Sequence, residues 1–271
     1  MRQLADDLKL AFHLADTADA ISLRCFGRGD PPTIKDDNSP VTAADLEIEQ
    51  QLESIIRTQR PSDAVFGEEL AGCEGEITVT APTWLIDPID HTRHFTRGDP
   101  NYGVLITLIV DGHASAAVVS APSLGLRWSA VRGGGAMLNG QRMSVSTISD
   151  LRGAHLALAG HREWVQQHDW VRVVRLMNQV GYLCGTPGGF LPAMQVASAQ
   201  LDAFAEPWGA IWDHAALALI VEEAGGRAST LSGAAPSGGS LLVSNGVLHD
   251  ALLEYLARTS QNAEVPNETR N

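Results

Sequence analysis

At 271 residues, with 44% hydrophobic and 19% charged side chains, the chain has the material for one large or two intimately packed domains, and general disorder is excluded. A formal net charge of -13 leaves no basic footprint for a nucleic-acid backbone, so nucleic acid is excluded as a main partner; an anionic phosphate binds such a protein only where metal cations invert the local field. Cys25, Cys73 and Cys184 are odd in number and lack CxxC spacing, which gives neither a disulfide framework nor a thiolate zinc site.

Residues 3 to about 26 place Leu4, Leu8, Leu10, Ala11, Leu14, Ala15 and Ala18 at helical spacing, which predicts an amphipathic opening helix whose acids face solvent. Those acids interrupt every apolar run, so no signal peptide or membrane span is expected here, and a cytoplasmic location without a membrane partner follows. A second helix is expected from Leu46 to about Arg57, with Leu46, Ile48, Leu52, Ile55 and Ile56 as core contacts and Pro61 ending it. Glu68 and Glu69 follow an apolar Ala64-Val65-Phe66 and a glycine and so emerge where a strand ends, adjacent carboxylates that repel and usually face water. Thr83-Trp84-Leu85-Ile86 reads as a buried strand that stops at Asp87-Pro88, because proline has no N–H for a ladder. Asp111-Gly112 and Asn139-Gly140 are hairpin signals, and Gly133-Gly134-Gly135 is a loop.

The second half brings helical runs at Trp164 to Val180, Pro192 to Ala199 and Asp213 to Ala224, the last stopped by Gly225-Gly226. Asp213 opens its helix, where a carboxylate also serves as a cap. The expected division is residues 1–150, 151–258 and a disordered polar tail, 259–271. No GxxxxGK[ST] loop, HExxH, GxSxG elbow or strand-framed GxGxxG occurs, and the nine histidines lack ligand spacing apart from His91 and His94, three residues apart.

The chemistry concentrates in the acids. Asp87 and Asp90 flank a rigid proline and Ile89, so a short turn aims two carboxylates and the Ile89 carbonyl at one point, a hard-oxygen set that suits Mg2+. Two cations roughly 3.5 to 4 Å apart clamp the attacking and leaving oxygens of an in-line displacement at phosphorus. If a helix starts at residues 91 and 92, its first N–H groups favour a phosphate.

Gly67-Glu68-Glu69, the run Trp84-Leu85-Ile86-Asp87-Pro88-Ile89-Asp90-His91-Thr92-Arg93-His94-Phe95, and Trp212-Asp213-His214-Ala215-Ala216 with Glu223-Ala224-Gly225-Gly226 resemble the inositol monophosphatase family, over most of the chain from Lys35 to Gly226. The resemblance implies an α/β fold, an α+β layered sandwich in αβαβα order, whose N-terminal half carries most ligands and whose C-terminal half supplies Asp213. It implies a homodimeric phosphatase that hydrolyses a small phosphate monoester with Mg2+-activated water and no covalent intermediate. Glu68, Asp87 and the Ile89 carbonyl look like the ligands of a first Mg2+, Asp87, Asp90 and Asp213 like those of a second, and a third, weaker ion near Glu68 is implied. Asp45 and Thr92 match the pair that orients the attacking water, which with Glu68 makes the implied catalytic set. Lys35 resembles the lysine near the metal loop, and Glu206 sits where family members contact a substrate hydroxyl or amine.

Two positions depart from the pattern. His91 stands where the family has glycine: either its side chain turns outward with a negative φ, the preferred reading, or it touches the substrate. The segments Leu14 to Asp19, Val118 to Pro122 with Trp128, and Ser244 to His249 look closest to the bacterial histidinol-phosphatase branch, yet Gly189 stands where that branch tends to carry an aspartate. A histidinol-phosphate-like substrate is favoured, with a sugar, cyclitol or nucleoside monophosphate as the alternative. A binding relative with weakened catalysis is the alternative of another class.

Overall fold

The structure, a computed structural model, describes residues 2–28, 31–36, 39–69, 81–166 and 170–256. Cys73 and the polar tail from Thr259 lie outside them.

The opening helix α1 runs Leu4–Cys25, with Leu10, Ala11, Leu14, Ala15 and Ala18 buried as their spacing predicts. Its acids do not all face solvent. Asp7 is buried and takes hydrogen bonds from Arg2 (2.7 Å) and Arg60 (3.0 Å), while Asp19 is held by Ser120 (2.7 Å) and Arg127 (2.5 Å). The buried Asp7 carboxylate is tolerated because both of its oxygens are paired.

A two-stranded ribbon, β1 (Thr33–Ile34) with β2 (Pro40–Val41), leads into α2 (Ala43–Gln59). This helix begins three residues before the predicted Leu46, because Thr42 and Asp45 form a capping box: Thr42 Oγ1 accepts from the Ala44 amide (3.2 Å), and Asp45 Oδ2 accepts from the Thr42 amide (2.8 Å). Leu46 lies about 200° round the helix from Ile48 and is 45% exposed, while Ile48, Leu52 and Ile56 are buried and Ile55 is half-buried.

Seven strands follow in one sheet in chain order: β3 (Ala64–Gly67), β4 (Thr83–Asp90), β5 (Gly103–Val110), β6 (His113–Ala121), β7 (Leu126–Val131), β8 (Gly135–Leu138) and β9 (Gln141–Arg142). The β3–β4 pair is parallel and the rest are antiparallel. Asp111-Gly112 and Asn139-Gly140 make the predicted tight turns, with positive φ at all four residues. Both faces are buried: Val104, Ile106, Ala116 and Val118 pack on α1 and α2, whereas Leu105, Ala117 and Val119 face the opposite way.

The second sheet holds β10 (His155–Leu158), β11 (Tyr182–Gly185), β12 (Ala203–Glu206), β13 (Arg227–Ser229) and β14 (Leu241–Ser244), in the order β11-β10-β12-β14-β13. After the short α3 (Thr92–Thr96), helices α4 (His161–Gln166), α5 (Trp170–Met177) and α8 (His249–Leu256) contribute to the core on the outer face of this sheet. Of the run predicted as helical from Trp164 to Val180, residues 164–166 and 170–177 are helical, and the three between them lie outside the described residues. Between the sheets lie α6 (Phe190–Ala197) and α7 (Ile211–Glu223). Eight consecutive α7 residues, His214 to Val221, are buried, as a helix covered on every side requires. The layers thus run αβαβα, as the resemblance implies, and the two halves expected to meet near residue 150 share the central helical layer and its core.

Candidate active site

The strand β4 does not stop before Asp87; it continues through Pro88 to Asp90. Its register with β5 slips by one residue, from Asp87↔Leu105 to Asp90↔Gly103. That is a β-bulge, the one place inside a ladder where a proline is tolerated. In an unbroken strand residues three apart point to opposite faces, so the extra residue turns the Asp90 side chain back towards the side of Asp87.

The bulge delivers Asp87, the Ile89 carbonyl and Asp90; the end of β3 delivers Glu68; the first turn of α7 delivers Asp213; the start of α3 delivers Thr92. These residues, with Lys35 and His91, line one cleft of about 1070 Å³. Asp45, Glu206 and Gly189 stand behind its wall. Asp87 is buried, and its Oδ1 has no hydrogen-bond partner among the described residues. Burial, and then the charges of Glu68, Asp90, Asp213 and Asp45, push its carboxyl well above the usual range. Asp213 rises for the same reasons, burial first and Asp90 next, although its Oδ2 accepts from the Ala210 amide (2.7 Å). Asp213 is therefore the third residue of the helix, taking the N-cap amide, and not the cap itself. Glu68 is also raised by burial, opposed by Lys35, and burial pushes Asp45 up to about 7. Asp45 Oδ1 is a second buried oxygen without a partner among the described residues.

Lys35 Nζ bridges Glu68 Oε1 (2.9 Å) and Glu69 Oε1 (2.8 Å). Glu69 thus does not face water; its side chain is 5% exposed, and its amide donates to Glu49 Oε2 (3.0 Å). Glu49 was not among the predicted residues. Its signal was its place one helical turn after Asp45, on the buried face of α2. Gly67 makes room for it, since a Cβ there would lie 1.5 Å from Glu49 Oε1.

Among the described residues no group of three or more His, Cys, Asp or Glu side chains is already arranged to hold a metal ion. The donor set nevertheless fits hard cations: crowded carboxylates raise one another, and two buried oxygens are left unsatisfied at Asp87 and Asp45.

His91 is the N-cap of α3 at φ 67 and ψ 49, the left-handed conformation that glycine takes most easily. The outward reading, which required a negative φ, is overturned. The ring lies against His94, with centroids 4.7 Å apart, and its Nε2 reaches the loop at Gly189. Thr92 is buried and donates from Oγ1 to the Ile89 carbonyl (3.1 Å). Glu206 is held by His214 Nε2 (3.0 Å), a partner eight residues on that no motif pointed to. The cleft is completed by Arg93, Arg97, Trp212 and the 68% exposed Trp208, none of which the motifs singled out as substrate contacts.

A five-layer αβαβα sandwich with an acidic, buried, hard-oxygen cluster at the end of β4 defines a phosphomonoesterase. The model of the inositol monophosphatase family matches residues 6–264, and the chain belongs to that family, whose members are generally metal-dependent. It is 41% identical to a histidinol-phosphatase of Mycobacterium tuberculosis, covering 93% of this chain and 98% of the relative. A histidinol-phosphatase of Streptomyces coelicolor is 38% identical, over 94% of this chain and 98% of its own. Among solved structures, a Thermotoga maritima IMPase superposes with a TM-score of 0.81 at 26% identity, over 93% and 96% of the two chains. No helix among the described residues is long and apolar enough to cross a membrane.

Proposed function

We propose that the chain hydrolyses a small phosphate monoester with two or three Mg2+ ions, and that histidinol phosphate or a similar amino-alcohol phosphate is its substrate. The observation that carries the reaction is the buried Asp87 Oδ1, without a hydrogen-bond partner among the described residues and with four further acids whose charges raise its pKa. The substrate reading rests on the two histidinol-phosphatases at 41% and 38% identity.

In this proposal Glu68, Asp87 and the Ile89 carbonyl hold one ion, Asp87, Asp90 and Asp213 hold another, and a weaker third lies near Glu68. Bound Mg2+ supplies charge neutralisation at phosphorus and a lowered pKa for bound water. The protein supplies the rest. Asp45, a buried carboxylate with one unpaired oxygen among the described residues, takes a proton from the attacking water, and Thr92 orients that water from the cleft wall. No side chain attacks phosphorus, so no covalent intermediate forms. Lys35 keeps Glu68 and Glu69 in place, while His91 faces the leaving group, backed by Glu206 and the Gly189 loop behind the cleft wall. The same reading has the enzyme working as a cytoplasmic homodimer.

The test is phosphate release, with and without Mg2+, from histidinol phosphate, inositol monophosphates and nucleoside monophosphates side by side. The expected result is Mg2+-dependent release with the highest kcat/KM on histidinol phosphate. A higher value on another ester replaces the substrate; a folded protein that releases phosphate from none overturns the reaction.

A further inference from the structure

The Gly188-Gly189 loop lies directly on side chains of the cleft. Gly189 has φ 69 and ψ -159, a conformation essentially confined to glycine. A Cβ at this position would lie 2.5 Å from His91 Nε2, 2.7 Å from His91 Cδ2 and 2.6 Å from Asp90 Oδ2. The loop has no room to back away cheaply, because the next amide, Phe190 N, donates to Asp90 Oδ2 at 2.7 Å. Nor is the imidazole free to swing aside, since it stacks on His94 with 29° between the rings. Residue 91 has a side chain in a backbone conformation that suits glycine, and residue 189 has none.

We propose that His91 and Gly189 form a mutually exclusive pair that sets specificity: the imidazole fills, from the N-terminal half, the space from which a side chain at 189 would reach the leaving group. The cleft then reads a neutral polar atom of the leaving group at this point, a ring nitrogen or a hydroxyl. Residue 189 itself offers no carboxylate for an ammonium, so this point is read by the imidazole. The exclusion rests on packing alone, whereas the specificity rests on the phosphomonoesterase reading above.

The test is a double-mutant cycle in the full-length protein with Gly189→Ala, His91→Gly and both together. Thermal unfolding is followed for all four proteins, and kcat/KM for histidinol phosphate and for p-nitrophenyl phosphate. Gly189→Ala is expected to lower Tm strongly with His91 in place and markedly less with His91→Gly. His91→Gly is expected to lower kcat/KM about tenfold more on histidinol phosphate than on p-nitrophenyl phosphate, the size of one net hydrogen bond. Additive Tm changes, insolubility of Gly189→Ala in both backgrounds, or equal kcat/KM losses on the two esters would overturn the pair. Absence of turnover in the unmutated protein would sink the proposed reaction instead, and the thermal cycle would still decide the packing claim.

Discussion

Replacing Asp45 by Asn removes one negative charge from the acidic cavity without dismantling the start of α2. The Thr42 amide and hydroxyl both donate to Asp45 Oδ2, so an Asn carbonyl oxygen accepts both, and the new NH2 takes the place of the unpartnered Oδ1. Burial moves this carboxyl from 3.8 to about 7, so keeping it ionised at pH 8 costs the metal-free protein about 4 kcal/mol. The sign follows from a folded pKa raised above the unfolded one: the stability this group contributes is complete below about 3.8 and is lost as pH rises through about 7. Asp45→Asn should therefore raise Tm in EDTA by on the order of 10 °C at pH 8 and by only about a third of that at pH 5, where the unfolded carboxyl is ionised but the folded one is still protonated. With Mg2+ present the same variant should lose about 10² to 10⁴ in kcat, as for a removed general base. Thermal melts at the two pH values in EDTA, with kcat in Mg2+, decide the matter. An equal gain at both pH values, or none at pH 8, would refute the buried-charge reasoning.

Asp213→Asn preserves the acceptor for the Ala210 amide, so its stability should fall by no more than about 1 kcal/mol, while kcat falls by roughly a thousandfold or more; undiminished kcat would leave Asp213 as a helix-end residue only. Lys35→Met strips the cation from Glu68 and Glu69 and should destabilise the metal-free protein by about 1 to 3 kcal/mol, with most of the loss recovered in Mg2+; equal losses in EDTA and Mg2+ would contradict that. His249 is buried between the hydroxyls of Ser229 and Ser244, and burial lowers its pKa to about 4. A depressed histidine gives stability that is present above about 6.5 and lost as pH falls towards 4, up to about 3 kcal/mol. His249→Gln should flatten the stability profile between pH 7 and 4, measured by urea unfolding; an unchanged slope would refute it.

The parts of the site that lie within a few residues of one another were legible in the sequence. The strand-to-acid transitions at Gly67-Glu68 and Asp87 to Asp90, the hairpin dipeptides and the acidic start of α7 all have local signals, and the structure has them near the predicted positions. Pro88 misled because proline ends a ladder everywhere except at an edge or a bulge, and a bulge is set by pairing with β5 rather than by β4 alone. Leu46 misled because it lies about 200° round the helix from Ile48, on the face opposite the buried one, and apolar character alone did not place it in the core. Contacts that join the two halves left no trace in local pattern: Asp90 with Phe190, a hundred residues on, and His91 with the loop at Gly189. The left-handed φ of His91 had a signal, since the position is one the family fills with glycine, but an outward ring with negative φ was preferred over it.

The central claim is that the cluster around Asp87 holds the cations that make phosphate transfer to water possible. Its most direct test is phosphate release from a phosphomonoester as Mg2+ is titrated into the unmutated protein and into Asp87→Asn. The account predicts no release in EDTA, saturable activation of the unmutated protein, and a loss of roughly a thousandfold or more in Asp87→Asn, which should still melt at or above the unmutated protein in EDTA because a buried charge is gone. Undiminished release in EDTA, or full Mg2+-dependent activity in Asp87→Asn, would contradict it.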